Sequence, residues 1–364
     1  MDNERSNYPD YIEKVFEFDI SPGKTPERLD VFLTNNIKNA SRTKVQKAIE
    51  EGCVTVNGKP AKGSKKIQPG DSIICKIMKP PPIRLIPEDI KLDVVYEDDY
   101  LLVINKPPGM VTHPGYGNRY GTLVNAVLYH TGQRESLELD IDDDEEDNYD
   151  EGVVFASDEI RPGVVHRLDK DTSGLLVVSK NPVVHAKLAK QFADRTIKRS
   201  YNAIVWGRIE DNEGSIEGDI GRSPRDRKLF GVVKKGGKYA RTDYKVIERF
   251  NYLTLLQLKL WTGRTHQIRV HCSHINHPVF GDPDYNGNKI VYGNQNNKFK
   301  NLADKMLKSV NRQMLHAKEL GFTHPETKEF ISFTSELPED MKKILETLKV
   351  MSYELFFPNN QLKG

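Results

Sequence analysis

Residues 163–178 read Gly163-Val164-Val165-His166-Arg167-Leu168-Asp169-Lys170-Asp171-Thr172-Ser173-Gly174-Leu175-Leu176-Val177-Val178. Two apolar runs enclose a polar loop here, and each run has the composition of a short buried strand. The loop offers carboxylates, a guanidinium and hydroxyl groups, which nucleophilic and acid–base chemistry use. The same composition also fits a turn in which Asp and Thr side chains bond their own backbone. The residues alone do not choose between Asp169 and Asp171 as a catalytic carboxylate.

Strand and helix patterns follow each other irregularly around this loop. Strands are predicted at 92–96, 101–104, 174–180, 200–207, 240–248 and 252–260, and helices near 123–129, 184–194, 305–315 and 339–349. Because strands and helices do not alternate regularly, a doubly wound parallel fold is disfavoured. We expect an α+β domain around a largely antiparallel or mixed β-sheet with flanking helices.

A smaller module precedes this domain, at residues 25–79. Apolar residues at helical spacing predict a helix from Leu29 to Ile37, and Ser41 is a candidate N-cap for a second helix that ends at Gly52. A strand then leads into Asn57-Gly58, a signal for a type I′ turn, and a later strand is predicted at 72–77. Two short helices and a small sheet are therefore expected.

The small module is basic. Residues 24–79 contain 12 Lys+Arg and 5 Asp+Glu. Arg42, Lys44 and Lys47 lie in the opening turns of the second predicted helix, where free backbone N–H groups already favour an anion. They are candidate contacts to RNA phosphates, although a solvated helix face explains three charges equally simply.

A proline-rich spacer at residues 80–87 separates the two regions. Its prolines disfavour a helix and favour an extended linker. The larger domain is expected to span residues 88–350.

Composition narrows the class of protein. The chain has 364 residues, enough for two or three domains, and 54 Lys+Arg against 52 Asp+Glu leave a net charge of only +2. Three widely spaced cysteines, Cys53, Cys75 and Cys272, cannot form a disulfide framework or a CxxC metal clamp. The N-terminus lacks a signal-peptide pattern, and no apolar run is long enough to span a membrane. We expect a cytoplasmic protein.

Residues 135–159 differ from the rest of the chain, because they contain 13 Asp+Glu and no Lys or Arg. Such a run repels itself and is typical of a disordered surface loop. It lacks the glycine and the ligand spacing of an EF-hand. The negative charge of this segment conceals a basic character elsewhere in the chain.

A second polar cluster, at residues 260–271, holds Thr262-Gly263-Arg264 and His266-Gln267-Ile268-Arg269. His271, His274 and His277 follow, which raises the question of a metal site. The histidines share no single helical face, and two arginines nearby would oppose a dication. We expect a basic hydrogen-bonding surface and no metal.

These motifs resemble two known families. The pattern of residues 28–71, with Arg28-Leu29-Asp30, Gly52-x-Val54-x-Val56-Asn57-Gly58 and Pro69-Gly70-Asp71, resembles the S4 RNA-binding domain. The larger domain resembles the pseudouridine synthases of the RluA type through five ordered motifs. These are Lys106-Pro107-x-Gly109, His166-Arg167-Leu168-Asp169-x-x-Thr172-Ser173-Gly174, Lys198-Arg199-x-Tyr201-x-Ala203, Thr262-Gly263-Arg264-x-His266-Gln267-Ile268-Arg269 and Gly281-Asp282-Pro283-x-Tyr285.

The resemblance implies the pseudouridine synthase fold and an RNA-modifying isomerase that needs no cofactor. It assigns the nucleophile to Asp169 by motif position. In this chemistry the N1–C1′ bond of a uridine breaks, the base rotates, and C5 joins C1′. Whether the carboxylate attacks C1′ or C6 stays open.

The resemblance also implies roles for four further residues. Arg264 would keep Asp169 ionised, the alternative being a surface ion pair. Tyr201 would stack on the uracil or help remove the C5 proton. Arg167 would fill the space left by a flipped base or contact a phosphate. Ile268 is expected among the RNA-contacting residues.

With an S4 module in front, the arrangement is most similar to family members that act on large-subunit ribosomal RNA. The expected partners are this RNA and ribosome assembly intermediates. Two rival interpretations remain, a non-catalytic RNA-binding protein and a metal-dependent hydrolase built on the histidines.

Overall fold

A computed structural model describes residues 12–37, 40, 42–79, 83–115, 118–139, 163–226 and 228–356. The described residues form two compact units. One contains the residues up to Arg84 together with Glu138 and Leu139, and the other contains the remainder. None of the helices in the described part of the chain is both long and apolar enough to cross a membrane.

The first unit is a small sheet with two helices. Its strands are β1 (Ile12–Asp19), β2 (Val54–Val56), β3 (Lys59–Pro60) and β4 (Ser72–Lys79), in the antiparallel order β1-β4-β2-β3, and its helices are α1 (Leu29–Asn36) and α2 (Arg42–Glu50). Asn57 and Gly58 both have positive φ, as a type I′ turn requires. The predicted helices, turn and later strand are thus confirmed, while the proposed cap Ser41 lies outside the described residues.

Strand β1 was not predicted, although it pairs with β4 along its whole length. Its sequence alternates apolar and charged residues only from Phe16 to Asp19, and Val15 is 42% exposed. Phe16 and Phe18 pack on the small core from only one face of the strand. An edge strand of this kind gives a weak sequence signal.

The second unit is built on an eleven-stranded sheet. Its strands are β6 (Val94–Glu97), β7 (Leu101–Lys106), β9 (Gly163–Val164), β10 (Ser173–Ser179), β11 (Lys198–Trp206), β12 (Glu213–Arg222), β13 (Phe230–Val232), β14 (Lys238–Arg249), β15 (Leu253–Leu260), β16 (Leu315–Thr323) and β17 (Phe330–Thr334). The main path is β13-β12-β14-β15-β11-β16-β10-β7-β6, with β17 on β16 and β9 on β10. Strands β10 and β16 pair in parallel and the other pairs are antiparallel, so the expected mixed sheet is confirmed.

Five helices accompany this sheet: α3 (Leu123–His130), α4 (Pro182–Ala193), α5 (Gln267–His274), α6 (Asn297–Ser309) and α7 (Glu339–Phe356). Residues of β7 and β10 pack in one cluster with α4, and residues of β11 pack in another with α6 and α7. The central strands are therefore nearly continuous apolar runs. The short strands β5 (Ile83–Leu85) and β8 (Leu137–Leu139) form a separate two-stranded sheet.

The structure corrects further sequence predictions in the larger domain and the segments beside it. The helix expected near 305–315 is α6, which ends at Ser309, and Leu315 begins β16. Strand β12 was missed, because only Ile216 and Ile220 are buried between glycines and charged residues. Residues 137–139 of the acidic segment form β8 and 83–85 of the spacer form β5, whereas 140–159 lie outside the described residues.

Candidate active site

The loop between β9 and β10 is held through its main chain. Four consecutive carbonyls each accept a hydrogen bond. The donors are Thr112 Oγ1 to Leu168 at 2.9 Å, Thr172 N–H to Asp169 at 3.0 Å, Lys106 Nζ and Gly109 N–H to Lys170 at 2.9 Å each, and Arg312 Nη1 to Asp171 at 3.0 Å. This anchoring leaves the Asp169 carboxylate free for other contacts.

Lys106 is the central donor of this anchorage. Its side chain is fully buried at the end of β7, and its ammonium also donates to the carbonyls of Pro107 and Met110 at 3.0 and 2.8 Å. Three acceptors match the three hydrogens of an ammonium. Burial lowers the pKa of Lys106 to about 7, although Asp169 and Asp171 act in the opposite direction.

The loop ends at a position that only glycine fits. Gly174 opens β10 with φ +113°, and a Cβ there would lie 2.2 Å from the carbonyl oxygen of Ala317 on β16. Ser173 and Gly174 pair with His316 and Ala317, and this is the only parallel contact in the described sheet. Close strand approach at this point sets where the preceding loop emerges.

A buried guanidinium faces the Asp169 carboxylate. Arg269 Nη1 lies 3.3 Å from Asp169 Oδ2, and the side chains of Arg269 and Asp169 are 4% and 20% exposed. Asp282 binds the same guanidinium with both oxygens, at 2.7 and 2.9 Å, and Asp284 Oδ2 lies 2.6 Å from Nη2. Because the fork is held by Asp282, its remaining edge points at Asp169.

Asp169 is stabilised as a carboxylate. Burial alone would raise the pKa of the Asp169 carboxyl, but electrostatic interactions with His266, Arg269 and Arg167 together hold it below its ordinary value. A nucleophilic carboxylate has to be ionised. The site therefore keeps Asp169 in its reactive form at neutral pH.

His266 completes one wall of the site. It adopts a left-handed conformation (φ 56°, ψ 20°) immediately before α5, and its Nε2 lies 4.0 Å from Asp169 Oδ2. Its Nδ1 is 2.9 Å from Tyr285 Oη, which accepts a hydrogen bond from the Phe230 N–H at 3.1 Å. We assign the phenol hydrogen to Nδ1, which leaves the imidazole proton on Nε2, toward Asp169. Burial lowers the pKa of His266, although the neighbouring Asp169 carboxylate acts in the opposite direction.

Tyr201 lies on β11, next to the residue of β16 that pairs with Gly174. It is 6% exposed on β11 and pairs with Ala317, which pairs with Gly174 on its other side. A register shift between Ser200 and Tyr201 interrupts the pairing with β16. Its role in stacking or proton transfer stays a prediction.

Arg264 and Arg269 occupy different places. Arg264 Nε donates to the Tyr239 carbonyl at 3.2 Å, and its N–H donates to Gln267 Oε1. The sequence analysis gave the ionic contact with Asp169 to Arg264, but the guanidinium 3.3 Å from Asp169 belongs to Arg269. The signal for Arg269 was present, since it stands in the same quoted motif.

Arg167 is exposed beside the nucleophile. Its charge acts on Asp169 and also on His113, whose pKa burial and Arg167 lower to about 3. Ile268, by contrast, is 4% exposed within α5, so it presents almost no surface to RNA in this conformation.

The basic residues of α2 lie at the surface of the first unit. The Arg42 guanidinium is 3.4 Å from Asp30, which Arg28 binds with two hydrogen bonds, and Lys47 is 3.8 Å from Glu51. Arg42 and Lys47 are exposed, and Lys44 is partly exposed. A phosphate could reach all three, and that role stays a prediction.

The clustered histidines make separate contacts. His271 Nδ1 lies 2.9 Å from Thr242 Oγ1, and His277 Nδ1 lies 2.7 Å from the Trp206 carbonyl. Within the described ranges, no group of three or more His, Cys, Asp or Glu side chains is placed to hold a metal ion.

Comparison with known proteins places this site in a family. Residues 100–274 match the family model of RNA pseudouridylate synthases, and residues 27–73 match that of the S4 domain. An RNA pseudouridine synthase of Chlorobaculum parvum is 44% identical over 339 residues, which cover 92% of this chain and 97% of that protein. The chain belongs to the RNA pseudouridine synthase family. Its members are isomerases that act on uridine in RNA.

Other relatives of this pseudouridine synthase also match most of the length of the chain. The ribosomal large subunit pseudouridine synthase D of Neisseria meningitidis serogroup B is 40% identical, covering 89% of this chain and 79% of that protein. Among solved structures, human RNA pseudouridylate synthase domain containing 4 matches with a TM-score of 0.50 and 21% identity, over 70% of this chain and 92% of that chain. The structural match supports the fold.

Proposed function

We propose that this chain converts uridine to pseudouridine in large-subunit ribosomal RNA, with Asp169 as the nucleophile. The observation that carries the proposal is the ionised Asp169 carboxylate, 3.3 Å from the clamped Arg269 guanidinium on a loop anchored by its main chain. Such an arrangement offers a preorganised anion to an electrophilic carbon of the nucleoside.

The reaction balances without an external reagent. The carboxylate forms a bond to C1′ as the N1–C1′ bond breaks, or adds to C6 of the ring before that bond breaks. The uracil rotates, C5 joins C1′, and the bond to Asp169 is released. The proton lost at C5 is balanced by one gained at N1. Tyr201 is our candidate for accepting the C5 proton or stacking on the ring.

Two observations support the choice of RNA. Relatives from Neisseria meningitidis and Zymomonas mobilis, each about 40% identical over 89% of this chain, are named ribosomal large subunit pseudouridine synthase D. The S4 match in front supplies a module suited to RNA. The proposal also includes an RNA-binding module at residues 25–79 and a catalytic domain at residues 88–350. It further includes ribosome assembly intermediates as partners and a cytoplasmic location.

The central experiment compares two neighbouring carboxylates. Asp169→Asn keeps the size of the side chain and the four carbonyl contacts but removes the nucleophile. We expect normal folding and RNA binding with no measurable pseudouridine in a large-subunit rRNA transcript. Asp171→Asn is the matched control, since the loop uses the Asp171 carbonyl, and it should retain most activity. Equal losses in both variants would contradict the assignment.

The RNA class is tested by mapping pseudouridines in ribosomal and transfer RNA from cells with and without the gene. Loss of sites confined to large-subunit rRNA is expected, and plasmid-borne Asp169→Asn should not restore them. Sites lost only from transfer RNA would refute the proposed substrate while leaving the chemistry intact.

A further inference from the structure

The segment that joins β12, β13 and β14 carries a dense group of positive charges. Six described basic residues lie between positions 222 and 238, all of them exposed, with Asp226 as the one acidic residue of the segment. We call them the hairpin patch: Arg222, Arg225, Lys228, Lys234, Lys235 and Lys238. No motif or family pattern drew attention to this segment.

The backbone under the patch is fixed in place. In the loop after β12, Ser223 N–H donates to Leu229 O at 2.8 Å, and Asp226 Oδ1 accepts the Lys228 N–H at 2.9 Å. The Asp226 carboxylate is thus engaged with the main chain of its own loop. These two hydrogen bonds hold the described residues on either side of the turn that carries the first half of the patch.

The loop after β13 crosses closely beside β12. Val233 N–H donates to Asp219 O at 2.8 Å, and a Cβ on Gly237 would lie 2.9 Å from the Asp219 Cβ. A Cβ on Gly221 would lie 3.2 Å from the Gly237 Cα. Glycines at both positions permit this approach, so Lys234 and Lys235 extend from a backbone that is already positioned.

A chain of side-chain contacts runs from Arg222, at one end of the patch, through Phe230 and His266 to Asp169. The Arg222 guanidinium lies over the Phe230 ring, 4.5 Å from its centroid. The Phe230 ring meets His266 edge to face at 5.9 Å, and the Phe230 N–H donates to Tyr285. His266 in turn stands 4.0 Å from Asp169. A strand bound at the patch would therefore pass next to the Asp169 loop.

We propose that the hairpin patch is a phosphate-binding surface that holds the RNA strand flanking the target nucleotide. The inference rests on the proposed function, because RNA is the polyanion that must approach Asp169. Six exposed cations in one segment offer charge-assisted contacts to the phosphates of a nucleic acid backbone. The patch would position the strand and take no part in bond making.

The experiment uses full-length protein and an unmodified large-subunit rRNA transcript. The patch variant combines Lys234→Gln with Lys235→Gln. The matched control combines Lys305→Gln with Lys308→Gln, two exposed lysines of α6, whose apolar face packs in a different cluster. Binding is measured against salt, and kcat and KM of pseudouridine formation are measured separately.

We expect the patch variant to flatten the plot of log affinity against log salt by about 0.7 for each lost single-strand contact. KM should rise while kcat stays unchanged, and the control should match the wild type. Identical salt slopes in patch variant and control would overturn the inference. So would a kcat loss with unchanged KM, or tighter patch-dependent binding to polyaspartate than to RNA of equal charge, which would favour an acidic protein partner.

The two proposals fail separately. Wild-type protein that binds RNA through the patch but forms no pseudouridine would refute the proposed function and leave the surface standing. Pseudouridine formation that does not depend on the patch would overturn the inference about the surface and leave the proposed function standing.

Discussion

The Asp169 carboxylate is ionised because neighbouring basic groups offset its burial, and Arg269 Nη1 lies 3.3 Å from it. Arg269 itself is held by Asp282 and Asp284, which raise its pKa further although burial opposes them. Reactivity at one residue thus depends on a guanidinium whose own position is set by two further carboxylates.

This arrangement predicts a pH dependence. Since the pKa of Asp169 lies below its ordinary value, the Asp169 carboxylate of the wild type should stay ionised as pH falls from 8 to 5 and should add no acid limb to kcat in that range. Arg269→Lys cannot keep both the bidentate contact with Asp282 and the contact with Asp169, so the Asp169 pKa should rise. The acid limb of kcat should then move to higher pH, with near-normal rates recovered in alkaline buffer.

The same shift links to stability with a defined sign. A carboxyl whose folded pKa is lowered stabilises the fold above its unfolded pKa of about 3.9, and that contribution is lost as pH falls through the folded value.

An acid limb at the same pH in wild type and Arg269→Lys would contradict the role given to Arg269. Circular dichroism at each pH separates unfolding from lost catalysis.

At this scale the sequence analysis predicted Asp169 and proposed Arg264 as its partner, and the structure adds Arg269 at 3.3 Å from Asp169. Arg264 and Arg269 are chemically identical and stand in one motif, so composition could not separate them. His266, with its left-handed backbone, lies between them, and Arg269 lies in the first turn of α5. Non-glycine residues enter that region rarely, and sequence patterns do not announce it.

At the scale of elements, sequence prediction followed burial. Strands β7, β10 and β11 were found because they are buried on both faces and read as continuous apolar runs. Strand β12 was missed because its burial repeats only at Ile216 and Ile220. Helix α5 was missed because it is short and its buried face carries Gln267, Arg269 and His271, which are polar.

The contact between β10 and β16 yields a stability prediction. Gly174→Ala would bring a Cβ to 2.2 Å from the Ala317 carbonyl at φ +113°, so strain and steric overlap should together cost about 3 kcal/mol or more. The matched control is Gly231→Ala on β13, where the nearest atom would be 3.9 Å away. Chemical denaturation measures both, and equal stability of the two variants would contradict this reading of the Gly174 contact.

At the scale of the whole molecule, positive charge is divided between two units, and the overall net charge of +2 conceals both groups. One group lies on α2 of the first unit and the other is the hairpin patch. Charge counting along the sequence identified the first group, because a family pattern directed attention there. The second group is recognised from the contact between Phe230 of β13 and His266.

If both groups bind phosphates of one RNA, their effects on the salt dependence should add. We expect Lys44→Gln with Lys47→Gln to reduce the salt slope without lowering kcat, and the combination with Lys234→Gln and Lys235→Gln to reduce it by the sum. Filter binding across a range of salt concentrations provides the slopes. A combined variant no weaker than either pair alone would indicate that the two groups do not act on the same RNA together.

The four hydrogen-bonded carbonyls from Leu168 to Asp171 bear on whether the protein loop or the RNA base moves during the reaction. A nucleophile whose main chain is fastened at four successive residues has little freedom to follow a departing or returning base. On the proposed mechanism the uracil therefore makes the larger movement: it leaves the helical stack, turns over and presents C5 to a reaction centre that stays in place. Catalytic efficiency then depends on how readily a given stretch of RNA can be deformed, so the mechanical softness of the transcript becomes part of target choice.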